Sequence, residues 1–133
     1  MRIGFTGTQV GMTAAQKRVL ADLLSSRSGE FHHGDCVGAD AEAHRIAVSL
    51  GLEPVIHPPS DPNKRAFCNA SRVMKPLPYL TRNRNIVLMS ELMLATPAQS
   101  HNTLRSGTWS TIRFARFKRR EMIVIGPDGE ILD

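Results

Sequence analysis

Arg2-Ile3-Gly4-Phe5-Thr6-Gly7-Thr8-Gln9-Val10-Gly11-Met12-Thr13 opens the chain with a short apolar-leaning run, a glycine turn and a hydroxyl residue. That order spells a strand, a tight turn and the start of a helix. The two glycines let the backbone turn sharply and approach a ligand with no Cβ in the way. Thr13 is placed as an N-cap, and Gln16 three residues later completes a capping-box pattern. Val19, Leu20, Leu23 and Leu24 then recur at the spacing of a helix with one buried face. Ser28-Gly29 stops it.

The same unit recurs outward from this stretch. Glu30 to His33 reads as a second strand, broken by Gly34-Asp35. A helix over 38–50 carries Ala39, Ala43, Ile46, Ala47 and Leu50 inward, with Gly51 as its C-terminal cap. Pro54 to His57 is a third strand. The next twenty or so positions, 58–77, begin Pro58-Pro59-Ser60-Asp61-Pro62-Asn63 and hold no periodic element, so a long functional or mobile loop is expected. A helix over Pro78–Met89, a fourth strand over Glu91–Thr96, a polar loop and a helix over Gly107–Lys118 follow. Met122 to Ile125 is a fifth strand, and Glu130 to Leu132 a short terminal one. Alternation of strand and helix implies right-handed crossovers and a parallel sheet covered on both faces. The expected fold is a single α/β, Rossmann-like three-layer domain over residues 1–133, with a mainly parallel sheet of about five strands.

With 133 residues the chain has room for one sizeable core, and its 41% hydrophobic and 22% charged content suits a soluble globular protein. No apolar run approaches the roughly 18 residues of a membrane span, and the N-terminus has no secretory pattern, so a cytoplasmic protein without membrane contact is expected. Two cysteines, Cys36 and Cys68, are too few for a disulfide framework and form no Cys-x-x-Cys pair. The net charge of +5 favours anions. Much of it lies in Arg113, Arg116, Lys118, Arg119 and Arg120, which read either as a solvated helix end or as a nucleic-acid contact. With five Phe, one Trp and one Tyr, platforms for base stacking are few, so nucleic acid is the less favoured partner.

In an open parallel sheet, ligands bind off the carboxyl ends of the strands, and four candidate motifs stand there. In the first, Gly7, Thr8, Gln9 and Gly11 precede a helix whose free amides attract anions. The second is His32-His33-Gly34-Asp35-Cys36-Val37-Gly38-Ala39-Asp40. His32 and His33 are adjacent on a strand and point to opposite faces, so one metal site would not use both, and no metal is expected. Gly34 and Gly38 instead make a second turn, where Asp35 or Asp40 meets ribose hydroxyls or caps a helix. The third is Arg105-Ser106-Gly107-Thr108-Trp109-Ser110-Thr111, whose hydroxyls crowd a helix start; Arg105 would pair with phosphate, and Trp109 is core or a stacking face. In the fourth, Arg82 and Asn83 stand in the first turn of a docked helix, where Arg82 would reach an anion or lie on an exposed basic face. No nucleophile elbow, Cys–His dyad or close pair of glutamates is present.

In this order the motifs resemble the SLOG superfamily of small Rossmann-like domains, including lonely-guy phosphoribohydrolases, DprA/Smf DNA-processing proteins and many small phage and bacterial proteins. Thr6-Gly7-Thr8-Gln9-Val10-Gly11-Met12-Thr13 is similar to its Thr-Gly-x-Arg-x-Gly-Met-Thr turn. His33-Gly34-Asp35-Cys36-Val37-Gly38-Ala39-Asp40 is similar to its Gly-Ala-Asp turn, and Arg82-Asn83 with Ile86-Val87 to its Arg-Asn helix. Ser106-Gly107-Thr108 corresponds to its phosphate turn. The resemblance implies binding of a nucleotide-derived, phosphate-bearing small molecule, often by a homo-oligomer, with no cofactor. The phosphoribohydrolases carry a glutamate where this chain has Thr111, and a hydroxyl cannot do a carboxylate's work at an oxocarbenium ion. Sensing or sequestering a ligand is therefore the leading expectation. An N-glycosidase using Asp35 or Asp40 is the alternative, and DNA binding through 113–120 the next.

Overall fold

The computed structural model describes residues 1–132. The elements run β1 (Arg2–Gly7), α1 (Ala14–Ser25), β2 (Glu30–His33), α2 (Ala39–Ser49), β3 (Glu53–Ile56), a 3-10 turn (Pro62–Lys64) and β4 (Arg72–Val73). They continue with α3 (Tyr79–Met89), β5 (Leu92–Thr96), α4 (Gly107–Phe117), β6 (Glu121–Ile125) and β7 (Ile131–Leu132). One sheet takes the order β4-β3-β2-β1-β5-β6-β7, parallel throughout except for the last pair.

Period-two burial sorts the central strand. Ile3 and Phe5 of β1 join Leu20 and Leu24 of α1, Phe31 of β2 and Ala39, Ala43 and Ala47 of α2 in the larger core. The opposite face packs under α3 and α4 through Ile86, Val87, Met93 and Ala115, and through Ala95, Trp109, Ile112 and Val124. Two helices on each face complete the three layers.

The capping box at Thr13 is present: Thr13 Oγ1 accepts from the Gln16 amide at 3.1 Å, and Gln16 Oε1 accepts from the Thr13 amide at 3.0 Å. Gln16 is also buried, and its Nε2 donates to the Pro97 and Ile125 carbonyls, fastening α1 across the ends of β5 and β6.

Two expectations change. The sheet has seven strands rather than about five. The stretch 58–77, read as lacking any element, contains the 3-10 turn and β4, which pairs with β3 through Val55–Arg72 and Ile56–Val73. A two-residue strand is too short to carry a hydrophobic period, so its pairing partner defines it.

Among the described residues, no helix is long and apolar enough to cross a membrane. In the basic run, Arg113 donates to the Thr103 and Leu104 carbonyls and to Asn102, and Arg120 to those of Val87 and Leu88. Both close loop and helix ends, so these two side chains are held against the protein surface while keeping their charge.

Candidate ligand-binding site

The chain leaves β1 toward β2, β3 and β4, then returns to β5 on the other side. That reversal opens a crevice at the carboxyl ends of β1 and β5, where open α/β sheets hold ligands. A cavity of about 340 Å³ lies there.

One wall is the turn after β1. Thr6, Gly7, Thr8 and Gln9 line the cavity. The turn is held from behind, because the Thr8 carbonyl accepts from the Ala39 amide at 3.0 Å and the Thr8 amide donates to the Thr96 carbonyl. Gly38 makes this contact possible. Its φ is +89°, and a Cβ there would stand 2.2 Å from the Gln9 carbonyl oxygen. Gly38 therefore supports the first turn and does not line the cavity. Gly11 also lies outside it, where a Cβ would face Glu42, whose carboxylate accepts from the Met12 amide at 2.6 Å and pairs with Lys17 at 3.0 Å.

Arg82 forms the opposite wall. Its side chain is buried against Gly34, where a Cβ would come within 2.6 Å of the guanidinium carbon. Nη1 donates to the Gly34 and His57 carbonyls, Nε to Asn83 Oδ1 at 2.7 Å, and Nη2 to Cys36 Sγ at 3.5 Å. The Tyr79 ring stacks on the guanidinium at 5.0 Å. Among the described residues, no carboxylate comes within 4.0 Å of it.

The structure separates the two candidate aspartates. Asp35 is fully buried and points away from the cavity. Its carboxylate accepts from Arg65 Nε at 2.7 Å and from the Cys68 amide at 2.9 Å, while its carbonyl accepts from the Ala66 amide. Asp35 is a clamp on the 64–68 segment rather than a ribose contact. Asp40 lines the cavity, and its Oδ2 accepts from the Cys36 amide at 3.2 Å. Burial pushes its carboxyl up to about 6, opposed by the nearby Arg82 charge.

The α4 end supplies the third wall. Ser106 caps the helix, accepting from the Trp109 amide at 3.1 Å, and Ser106, Gly107 and Thr108 line the cavity. The Gly107 and Thr108 amides open the helix and have no intrahelical acceptor. Trp109 takes its core alternative: it is buried among Ala95, Ile112 and Val124, and its Nε1 donates to the Gln99 carbonyl. Arg105 is exposed and lies outside the cavity lining. Thr111 donates its hydroxyl to the Gly107 carbonyl at 3.1 Å, so it too faces its own helix.

Cys36, Tyr79 and Gln99 line the cavity without having been singled out. Tyr79 stands three residues before Arg82, one helical turn away on the same face, and this spacing was available to find it. Gln99 lies in a loop with no period, and among the described residues its buried Oε1 has no hydrogen-bond partner.

The histidines behave as their alternation requires. His32 Nδ1 meets His57 Nε2 at 2.8 Å on one face, and His33 Nε2 meets His44 Nδ1 at 2.9 Å on the other. Ligand atoms of His33, His44 and Cys68 lie within 4.8 Å of one another. However, His33 Nδ1 accepts from the Asp35 amide at 3.0 Å. A metal on Nε2 would require a proton at that same Nδ1, since a metal-bound imidazole donates through its other nitrogen. His33 and His44 are hydrogen-bonded to each other, Cys68 is hydrogen-bonded to Asp35 instead, and burial with the Asp35 carboxylate pushes the Cys68 thiol up to about 12.

No family model and no curated protein matches the sequence. Among solved structures, the chain is similar to the molybdenum cofactor binding protein of the phototrophic bacterium Rippkaea orientalis. The TM-score is 0.73 at 19% identity, over 94% of this chain and 76% of that one. It is also similar to the molybdenum cofactor carrier protein of Chlamydomonas reinhardtii, with a TM-score of 0.63 at 18% identity over 92% and 74% of the two chains. A second structure of that carrier gives 0.60 at 19% identity, over 92% and 74%. At these identities the likeness establishes the α/β fold alone.

Proposed function

We propose that the chain binds a nucleotide-derived or similar phosphate-bearing small molecule in the β1–β5 cavity, and senses or sequesters it. The observation that carries this is Arg82: a buried guanidinium that, among the described residues, no carboxylate contacts within 4.0 Å, sharing one cavity with Asp40 and the amino end of α4. A buried charge without a counter-ion is costly, and a bound anion offsets that cost. The first amides of α4 add donors and the positive end of the helix dipole. Space is available too, because a Cβ at Gly107 would meet no protein atom within 4 Å. The similar proteins named for the molybdenum cofactor, itself a small phosphate-bearing molecule, support this use of the fold.

The test is a calorimetric screen of nucleotides, cyclic ADP-ribose-like compounds and phosphorylated pterins. Gly107→Val serves as the control that fills the open space at the head of α4. Binding to the wild-type chain, weakened at least about tenfold in Gly107→Val with an unchanged melting temperature, is the expected result; about 1.4 kcal/mol accounts for that factor. Failure of every compound to bind the wild type would sink the proposal.

Asp40 favours a second reading, cleavage of a nucleoside monophosphate at its glycosidic bond, because a buried carboxyl near 6 in a cavity is suited to proton transfer. Chromatography after incubation with nucleoside monophosphates separates the two. Free base that disappears in Asp40→Asn favours cleavage, and intact nucleotide favours binding.

A further inference from the structure

Asp40 has an unusual place in the proposed site. It is the second residue of α2, nine-tenths buried, and opens onto the same cavity as Arg82. The backbone amides of Cys36 and Gly34 face its carboxylate. Among the described residues, no lysine, arginine or histidine nitrogen comes within 4.0 Å of it. The charged and titratable groups around it are Arg82 from α3, Asp35 and Cys36 from the turn after β2, and Cys68 from the 58–77 segment. Arg82 is the single cation of this group. Asp40 and an incoming anion therefore share one cavity with a single guanidinium, both protein groups being buried.

Two negative charges beside one buried cation are resolved at lowest energy when one of them takes a proton. We propose that Asp40 is a proton-coupled specificity residue: it takes up one proton as an anionic ligand seats near Arg82, and its neutral carboxyl then donates a hydrogen bond toward that ligand. This rests on the anion-binding reading above. Burial brings Asp40 up to about 6, so a further push by an anion carries it across neutral pH. The bound state then holds one more proton than the free state. Affinity consequently rises as pH falls, by up to about tenfold per pH unit above about 6, and levels off below that. A ligand contacting Asp40 only through hydroxyl or amino donors would leave it ionised and produce no such slope.

The experiment uses the full chain and two probes whose charges do not titrate near neutral pH, inorganic sulfate and adenosine 3′,5′-cyclic monophosphate. Calorimetry in two buffers of different ionisation enthalpy counts the protons taken up per anion. The expected result is close to one proton at about pH 7.5, with affinity falling roughly tenfold per unit above about pH 6.5. Asp40→Asn, permanently neutral, is expected to bind at least as tightly as wild type at about pH 8, with no proton uptake. Asp40→Ser tests the same loss of slope should the amide disturb the fold. Binding by the wild type without proton uptake would overturn the coupling and leave the anion site standing, and so would weaker binding by Asp40→Asn at every pH. If neither probe binds wild type or variant at any pH, the coupling falls, and the site falls with it when the wider screen also finds no ligand.

Discussion

Arg82 concentrates in one side chain what the site needs and what the fold needs. It closes off two backbone carbonyls, Gly34 and His57, and it brings positive charge to the cavity. Arg82→Gln is expected to lower stability by about 3 kcal/mol, the scale for lost hydrogen bonds from a buried charged group, read from the urea midpoint. It is also expected to remove most anion binding, and wild-type affinity in Arg82→Gln would contradict the role given to the guanidinium. In the sequence Arg82 stood between an anion contact and an exposed basic face: Arg82-Asn83, one helical turn before Ile86-Val87, marked a docked helix but not which way the guanidinium turns. Asp35 and Asp40 were not separable in the same way. Both follow glycines in one turn, and what sorts them is Arg65, thirty residues from Asp35 and inside a stretch with no period. Trp109 was likewise left between two roles until its neighbours on β5 and β6 were known.

At the scale of elements, the 58–77 segment is held to the domain chiefly through the turn after β2. Asp35 grips Arg65, Ala66 and Cys68, the Val37 amide donates to the Lys64 carbonyl, and β4 adds a two-residue pairing to β3. The Arg72–Glu30 ion pair, Lys64 Nζ donating to Gln9 Oε1 and the Met74 amide donating to the Ile56 carbonyl add to these ties. Asp35→Ala is expected to cost about 3 kcal/mol, as for other broken buried ion pairs, and to make the segment the first point of limited proteolysis. Cleavage no faster than in wild type would show that the other ties suffice. The alternation of strands and helices was legible because each long element carries its own period, and the capping box at Thr13 marked one helix start outright. The short elements escaped because their cause is a distant partner rather than a local pattern.

At the scale of the molecule, the buried histidines couple stability to pH. Burial lowers His33 to about 3 and His57 to about 4, and it lowers His32 and His44 as well. The unfolded chain takes up protons on histidine as pH falls below about 6.5, while the folded chain does not. Stability is therefore full above about 6.5 and is lost as pH falls toward 4 for His57 and 3 for His33, by up to about 1.4 kcal/mol per unit for each. Asp40 acts oppositely between about 6 and its ordinary value, because its folded form binds the proton first, and it offsets one histidine. A net drop in urea midpoint between about pH 6.5 and 4.5, shallower in His57→Gln, is the expected outcome; a flat profile would contradict it. The sheet itself ends at both sides on strands of two residues, Arg72–Val73 and Ile131–Leu132. Unpaired outer strands are templates on which foreign chains add and fibrils grow. Here each outer strand covers only two residues of its neighbour, and the uncovered stretches begin with Glu121 on β6 and Glu53-Pro54 on β3, a charge and a proline that discourage a passing chain from adding a rung.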